Sequence, residues 1–135
     1  MNQDKVLELM ESVLGDFWFH PDLVQDLVSC ISKTGCELKF FSLFMARLKY
    51  LRDQGVNAIR HEEFEVLTRA TGIFSMHLTG KGFNIRILYS FSPDKIPVLL
   101  IGFFKRDGKK KTDYTQYIPL AQQRLSEELE AHKYE

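Results

Sequence analysis

Basic side chains accumulate at the end of one predicted strand. Residues 102–111 read GFFKRDGKKK, so an apolar run that begins at Ile96 gives way to five positive charges within seven residues. The five are Lys105, Arg106, Lys109, Lys110 and Lys111. Clustered cations attract polyanions, and the planar fork of arginine matches the geometry of a phosphate group. A lysine-rich strand end can equally be a solvated edge that resists aggregation, so charge alone leaves both interpretations open.

An excess of positive over negative charge occurs in the middle of the chain and not in its two ends. The 135 residues carry 18 basic and 18 acidic side chains, which gives a net charge of zero. Residues 66–111 contain nine basic and two acidic side chains, whereas residues 1–65 contain seven and eleven and residues 112–135 contain two and five. A local positive field of this kind attracts a polyanion whatever the total charge is.

Length and composition limit the class of protein. A chain of 135 residues is the size of one domain with a hydrophobic core, and 44% hydrophobic residues are typical of globular proteins. No apolar run approaches the ~20 residues of a membrane span, and the charged N-terminus lacks a signal core. We therefore expect a cytoplasmic protein that does not bind a membrane. Because Cys30 and Cys36 form no CxxC motif, we expect no metal and no other cofactor.

Helical periodicity dominates the first half of the chain. The segment NQDKVLELMESVL has its apolar residues on one stripe, and a second helix opens at Pro21 and ends at Thr34-Gly35. A third helix is predicted from Glu37 to Arg52. Its predicted apolar stripe is Leu38, Phe41, Met45 and Leu48. The aromatic segment LGDFWF, residues 14–19, fits either an edge strand or a buried connection.

The second half changes to the alternation of β-strands. GIFSMHL, FNIRILYSF and IPVLLIGFFK are separated by short turns, which predicts a three-stranded antiparallel meander, and helical spacing returns in YIPLAQQRLSEEL. The predicted fold class is α+β: N-terminal helices packed on one face of a small antiparallel sheet, with a closing C-terminal helix. The other face should carry Arg86 and His77, next to Lys105 and Arg106.

Three groups of short motifs follow one another between residues 85 and 125. They are Ile85-Arg86-Ile87-Leu88, then Phe103-Phe104-Lys105-Arg106 with Lys111-Thr112, and then IPLAQQRL from Ile118. Their order resembles the RelE superfamily of bacterial and phage toxins, most closely its HigB-like, phage-derived branch. The resemblance covers roughly residues 38–130. It implies one RelE-like toxin domain over residues 1–135, with residues 1–36 as a helical extension at the N-terminus.

The resemblance carries expectations about activity and partners. Such proteins are toxins of type II toxin–antitoxin systems that cleave messenger RNA, many of them on the translating ribosome. The implied partners are a cognate antitoxin, often of the helix-turn-helix type, together with messenger RNA and the ribosome, and no direct contact with DNA. The sequence differs from the family pattern at His77, where this branch has an arginine, and in its neutral total charge.

The chemistry implied by the resemblance is attack of a ribose 2′-OH on the adjacent phosphorus. This reaction needs a base, a cation for the growing charge on the phosphate and a proton for the leaving 5′ oxygen. Arg86 and Arg106 suit the second role because arginine stays charged. Lys105 can act as a base if neighbouring cations lower its pKa, and His77 can act as base or acid near neutral pH.

Tyrosines and lysines complete the candidate site. Tyr114 joins the catalytic candidates because it could orient the phosphate, although a tyrosine at a helix start often serves only as an anchor. The candidate RNA-binding residues are Lys109, Lys110, Lys111 and Tyr117. The alternative interpretation is a non-catalytic protein of RelE fold that binds a protein or RNA partner. The neutral charge and His77 favour that alternative.

Overall fold

The computed structural model describes residues 3–15, 17–32, 34–105 and 110–134, without the side chains of residues 110–113. These residues form four α-helices and five strands, which confirms the predicted α+β class. The helices are α1 (Gln3–Val13), α2 (Asp22–Ile31), α3 (Glu37–Gln54) and α4 (Lys110–Ala131), and a 3-10 helix (Gly55–Arg60) follows α3. Among the described residues, no helix is long and apolar enough to cross a membrane.

The sheet is larger than the predicted meander. Its strands are β1 (Trp18–Phe19), β2 (Phe64–Val66), β3 (Phe74–Gly80), β4 (Phe83–Phe91) and β5 (Pro97–Phe104). They lie in the order β1-β5-β4-β3-β2, so the predicted antiparallel meander forms the centre and a short strand is added at each edge. Strand β1 runs parallel to β5, and the segment that contains it is therefore an edge strand rather than a connection.

Helices cover both faces of the sheet, whereas the sequence predicted helices on one face only. Helices α1, α2 and α3 pack on the face that includes Ile87 and Leu99. Helix α4 packs on the opposite face, where Ile118 and Ala121 join the cluster around Leu100. Strand β5 is apolar on both sides, and a strand of this composition is stable only when both of its faces are covered.

The buried side of α3 differs from the predicted stripe. Leu38 and Met45 were predicted to be buried but keep 71% and 58% of their surface exposed. Phe40 and Phe44 are fully buried instead. Phenylalanine removes more apolar surface from water than leucine or methionine, so the face that carries the aromatic rings turns inward.

Helix α4 begins at Lys110, well before the predicted start, and Pro119 lies inside it. Proline inside a helix leaves the carbonyl four residues earlier without its hydrogen bond. That residue is Thr115, which is exposed like Pro119 itself, so water can satisfy the carbonyl. The start at Lys110 makes Tyr114 and Tyr117 part of the helix rather than of a preceding loop.

A largely buried ion pair connects α4 to the rest of the molecule. Arg124 Nη1 lies 2.6 Å from Asp26 Oδ2 on α2 and donates to the carbonyl of Leu100 on β5 at 2.9 Å. Asp26 Oδ2 also accepts the backbone N–H of Gly102 at 3.2 Å. The pair therefore connects α2, β5 and α4 and holds α4 in place over the sheet.

Tyr89 provides a test of the core. Its side chain is fully buried, and its hydroxyl has no hydrogen-bond partner among the described residues. Burial accordingly raises the pKa of Tyr89. An unpaired buried hydroxyl costs roughly 1–3 kcal/mol, so Tyr89→Phe should raise the free energy of unfolding by about 1 kcal/mol in urea denaturation.

Tyr114→Phe is the matched control for this substitution. The hydroxyl of Tyr114 is also buried, but it donates to Glu65 and lies 3.1 Å from the hydroxyl of Ser75. Its removal should lower stability by about 1 kcal/mol. A loss of stability in Tyr89→Phe of the same size would contradict the expected difference between the two hydroxyls.

Candidate functional site

His77 on β3 and Arg86 on β4 lie directly opposite each other on adjacent strands. They are direct partners in the antiparallel register of β3 and β4, and directly opposed residues project from the same face of a sheet. The alternation of polar and apolar residues in both strands produces this arrangement, since Ile85, Ile87, Met76 and Leu78 turn into the core. The structure thus brings together two of the predicted catalytic residues.

Arg86 is held by polar neighbours on its own side of the sheet. Its Nη1 donates to Asn84 Oδ1 at 2.6 Å and to Thr79 Oγ1 at 3.3 Å. Its Nε is buried and has no hydrogen-bond partner among the described residues. Among the described residues, the groups that orient the guanidinium are therefore neutral, which leaves its positive charge for an anion.

His77 belongs to a network centred on Glu65 of strand β2. His77 Nε2 lies 3.1 Å from Glu65 Oε1, and Tyr114 Oη donates to the same oxygen at 3.1 Å. Ser75 Oγ lies 3.1 Å from Tyr114 Oη. Because a carboxylate only accepts hydrogen bonds, Nε2 carries the proton of the neutral His77 ring and Nδ1 keeps its lone pair.

The surroundings of His77 favour its neutral form. Burial lowers the pKa of His77 below its ordinary value of 6.5, and the charge of Arg86 lowers it further, while the contact with Glu65 acts in the opposite direction. His77 is therefore mostly uncharged at neutral pH. Since its pKa is lower in the folded state, its contribution to stability is present above pH 6.5 and is lost as the pH falls through the folded-state pKa.

Two substitutions should move the pKa of His77 in opposite directions. Arg86→Ala removes a positive charge and should raise it, whereas Glu65→Gln removes a negative charge and should lower it further. NMR titration of the imidazole protons measures both shifts, with distant His132 as internal reference. An unchanged pKa in both variants would show that burial alone sets the pKa of His77, and shifts in the same direction would contradict the opposite effects assigned to Arg86 and Glu65.

Tyr114 is buried and shares with His77 a hydrogen-bond contact to Glu65. It is 4% exposed, and its ring lies edge-on to Phe103. Burial raises the pKa of Tyr114 above its ordinary value, so the phenol keeps its proton at neutral pH and acts as a donor to Glu65. Its predicted role in orienting a phosphate stays a prediction.

Of the predicted basic residues between 105 and 111, Lys105 is the one whose side chain the structure describes. The backbone N–H of Lys105 donates to the carbonyl of Asn84 at 2.8 Å, which sets Lys105 opposite Asn84 and on the face of Arg86. Arg106 and Lys109 lie outside the described residues, as do the side chains of Lys110 and Lys111. Their predicted roles in phosphate stabilisation and RNA binding therefore stay predictions.

Tyr117 stacks on Phe103 with ring centroids 4.1 Å apart and planes 15° from parallel. One face of its ring is thus occupied, so an RNA base could stack only on the other face.

At the far end of α4, the ring of His132 stacks on that of Trp18 with centroids 3.8 Å apart, so this part of the C-terminal segment is packed against β1.

Three members of the site were not singled out from the sequence. The strand alternation that places His77 and Arg86 on one face also places Ser75 and Asn84 there, but the sequence offered no reason to assign them a role. Glu65 lies in a three-residue edge strand, which is too short to show alternation. The available signal for Glu65 was an acidic residue between apolar neighbours in FEV, which is weak by itself.

Other chemistries find little support in the described part of the chain. No group of three or more histidine, cysteine, aspartate or glutamate residues there could hold a metal ion. Burial raises the pKa of Cys30 to about 12, which leaves this thiol protonated and unreactive at neutral pH. The arrangement that remains is a charged guanidinium opposite a neutral imidazole.

Comparison with known proteins identifies the family. The family described as "Phage derived protein Gp49-like (DUF891)" matches residues 39–126, which is more than half of the chain and contains every predicted site residue. Searches of curated proteins and of solved structures found no significant match. The Gp49-like family is a RelE-type, toxin-like family associated with toxin–antitoxin systems. The chain therefore belongs to the Gp49-like family of phage-derived proteins.

Proposed function

We propose that the protein is an endoribonuclease toxin, of the HigB-like kind, that cleaves messenger RNA on the ribosome by 2′-OH attack. The observation that carries this proposal is the pairing of Arg86 with a neutral His77 on one face of the sheet. Phosphodiester cleavage needs both a fixed cation and a base that is unprotonated at neutral pH. Membership of a toxin-associated family supports the same conclusion.

His77 is the proposed general base. Its Nδ1 accepts the proton of the 2′-OH, and the 2′ oxygen attacks the adjacent phosphorus. Glu65, in contact with Nε2, stabilises the imidazolium that forms. A base whose pKa lies below neutrality is in its active form at neutral pH, which favours His77 over Lys105 for this role.

Arg86 is the proposed stabiliser of the transition state. Its guanidinium binds the non-bridging phosphate oxygens as negative charge develops on them, and Asn84 fixes its orientation. Lys105, on the same face, donates a proton to the leaving 5′ oxygen. The products are a 2′,3′-cyclic phosphate on one fragment and a 5′-hydroxyl on the other, with no added cofactor.

The proposed partners follow from the same assignment. A toxin-associated family is consistent with an antitoxin partner, and we propose one of the helix-turn-helix type. Messenger RNA and the ribosome are the proposed targets, and the basic segment from Lys105 to Lys111 would contact their phosphates. We further propose a single domain over residues 1–135 that acts in the cytoplasm, with residues 1–36 as an addition before the matched region.

Expression of the gene without a partner tests the proposal. Induction should stop protein synthesis and growth, and His77→Ala should restore both, because the proposed base is absent. Arg60→Ala is a control, since Arg60 is exposed on the 3-10 helix outside the site. Normal growth while folded wild-type protein accumulates would contradict the toxin assignment.

A non-catalytic, partner-binding role is the second candidate. The observation that favours it is that Glu65 already contacts both His77 and Tyr114, so the polar network can serve the fold alone. In that case His77→Ala would lower thermal stability, and neither it nor the wild-type protein would arrest growth.

A further inference from the structure

A cleft lies immediately beside the Glu65 network. Residues 65–69 form one side of it, and Tyr114 and Ile118 of α4 form the other. Its volume is about 350 Å³, which is near the lower end for small-molecule sites and suits a single aromatic ring system. We call it the β2–α4 cleft.

The β2–α4 cleft shares a wall with the candidate site. Glu65 lines the cleft and also contacts His77 Nε2, so one carboxylate separates the cleft from the proposed base. Tyr114 lines it as well and donates to the same carboxylate. A nucleotide next to the one being cleaved would therefore reach the cleft without leaving the surface of the site.

The walls of the cleft combine apolar and polar groups. Leu67, Ile118 and Tyr114 are buried and form an apolar bottom, whereas Val66 is 48% exposed at the rim. Arg69 lies at the rim, and its Nη1 donates to Thr115 Oγ1 at 2.8 Å, which orients the guanidinium across the cleft mouth. Proteins recognise single-stranded RNA in this way, with unstacked bases on apolar surfaces and polar groups at the base edges.

We propose that the β2–α4 cleft binds one purine base of the RNA, preferentially guanine, on the nucleotide beside the cleaved phosphate. The proposal rests on the function proposed above. The fork of Arg69 matches the O6 and N7 acceptors of guanine, and the carboxylate of Glu65 can accept a hydrogen bond from the exocyclic amino group. The cleft would thus give the endonuclease a base preference that the site at Arg86 cannot supply, since phosphate contacts carry no sequence information.

Binding of short RNAs to the full-length protein tests this proposal. The probes are four trinucleotides, UGU, UAU, UCU and UUU, with 2′-fluoro sugars so that they cannot be cleaved. The wild-type protein should bind UGU roughly tenfold or more tightly than UCU and UUU, because one bidentate contact discriminates by about that factor. UAU should lie in between.

Three variants distinguish recognition of the base from nonspecific electrostatic attraction between the protein and RNA. Arg69→Lys keeps the charge but loses the fork, so the preference for UGU should fall to about onefold while affinity for UUU is kept. Thr68→Trp should block the cleft and abolish the preference, and Arg60→Ala should leave it intact. Melting curves check that each variant is folded.

Two outcomes would overturn the proposal: equal binding of all four probes by the wild-type protein, or a guanine preference that survives both Arg69→Lys and Thr68→Trp. Cleavage of unmodified RNA is measured separately. A wild-type protein that prefers UGU through Arg69 but cleaves no RNA would support the cleft while contradicting the proposed function.

Discussion

Arg86→Ala should lower the rate of RNA cleavage by about a hundredfold or more while the protein remains folded. Removal of one preorganised donor to a developing oxyanion costs roughly 3–4 kcal/mol. The cost to stability should be below about 0.5 kcal/mol, because Arg86 contributes no side chain to the core and its buried Nε lacks a partner among the described residues. Initial cleavage rates and thermal melting of the same preparation measure the two effects.

Arg60→Ala is the matched control for Arg86→Ala, since it removes an arginine of the same charge outside the site. It should leave the cleavage rate unchanged. If Arg86→Ala melts early, Arg86 serves the fold and its catalytic role is unsupported. If the variant folds and cleaves at the normal rate, the catalytic face lies elsewhere.

Asp26→Ala should destabilise the protein by about 3 kcal/mol. The substitution leaves Arg124 buried without its carboxylate, and an uncompensated buried charge costs roughly 3–5 kcal/mol. The lower end of that range applies because Asp26 keeps 21% of its side chain exposed, so water can partly replace it. The backbone N–H of Gly102 also loses its acceptor. Urea denaturation measures the change in free energy.

Two further variants test whether an unpaired buried charge causes this loss of stability. Asp22→Ala on the same helix removes an exposed carboxylate and should change stability by less than about 0.5 kcal/mol. The double variant Asp26→Leu with Arg124→Met should recover much of the lost stability, because no charge is left unpaired. A double variant as unstable as Asp26→Ala would mean that packing around the pair, not charge burial, holds α4.

The polar face of the sheet could be predicted because strand alternation is a strong signal. In FNIRILYSF the apolar residues recur at every second position, which places Arg86 opposite the core side chains. The same reasoning placed His77 on the matching face of β3, and the structure makes the two direct partners. The central meander and the α+β class followed from the same pattern.

The remaining features depend on contacts between distant parts of the chain. Glu65 contacts His77 because β2 pairs with β3, and the three-residue sequence of β2 contains no pattern that predicts this pairing. The inward turn of Phe40 and Phe44 depends on the ring of Phe83, which Phe40 meets edge-on at 5.8 Å. The position of α4 depends on Asp26, 98 residues before Arg124. Local periodicity in the sequence does not predict structural features that depend on contacts between distant residues.

The chemical ends of the cleaved RNA test the central claim most directly. Purified wild-type protein is incubated with ribosomes that translate a defined message, and the fragment ends are identified by enzymatic labelling and sequencing. The account predicts a 2′,3′-cyclic phosphate on the upstream fragment and a 5′-hydroxyl on the downstream fragment, with both strongly reduced in reactions of Arg86→Ala or His77→Ala. An intact message, or fragments that end in a 3′-hydroxyl and a 5′-phosphate, would contradict attack by the 2′-OH at this site.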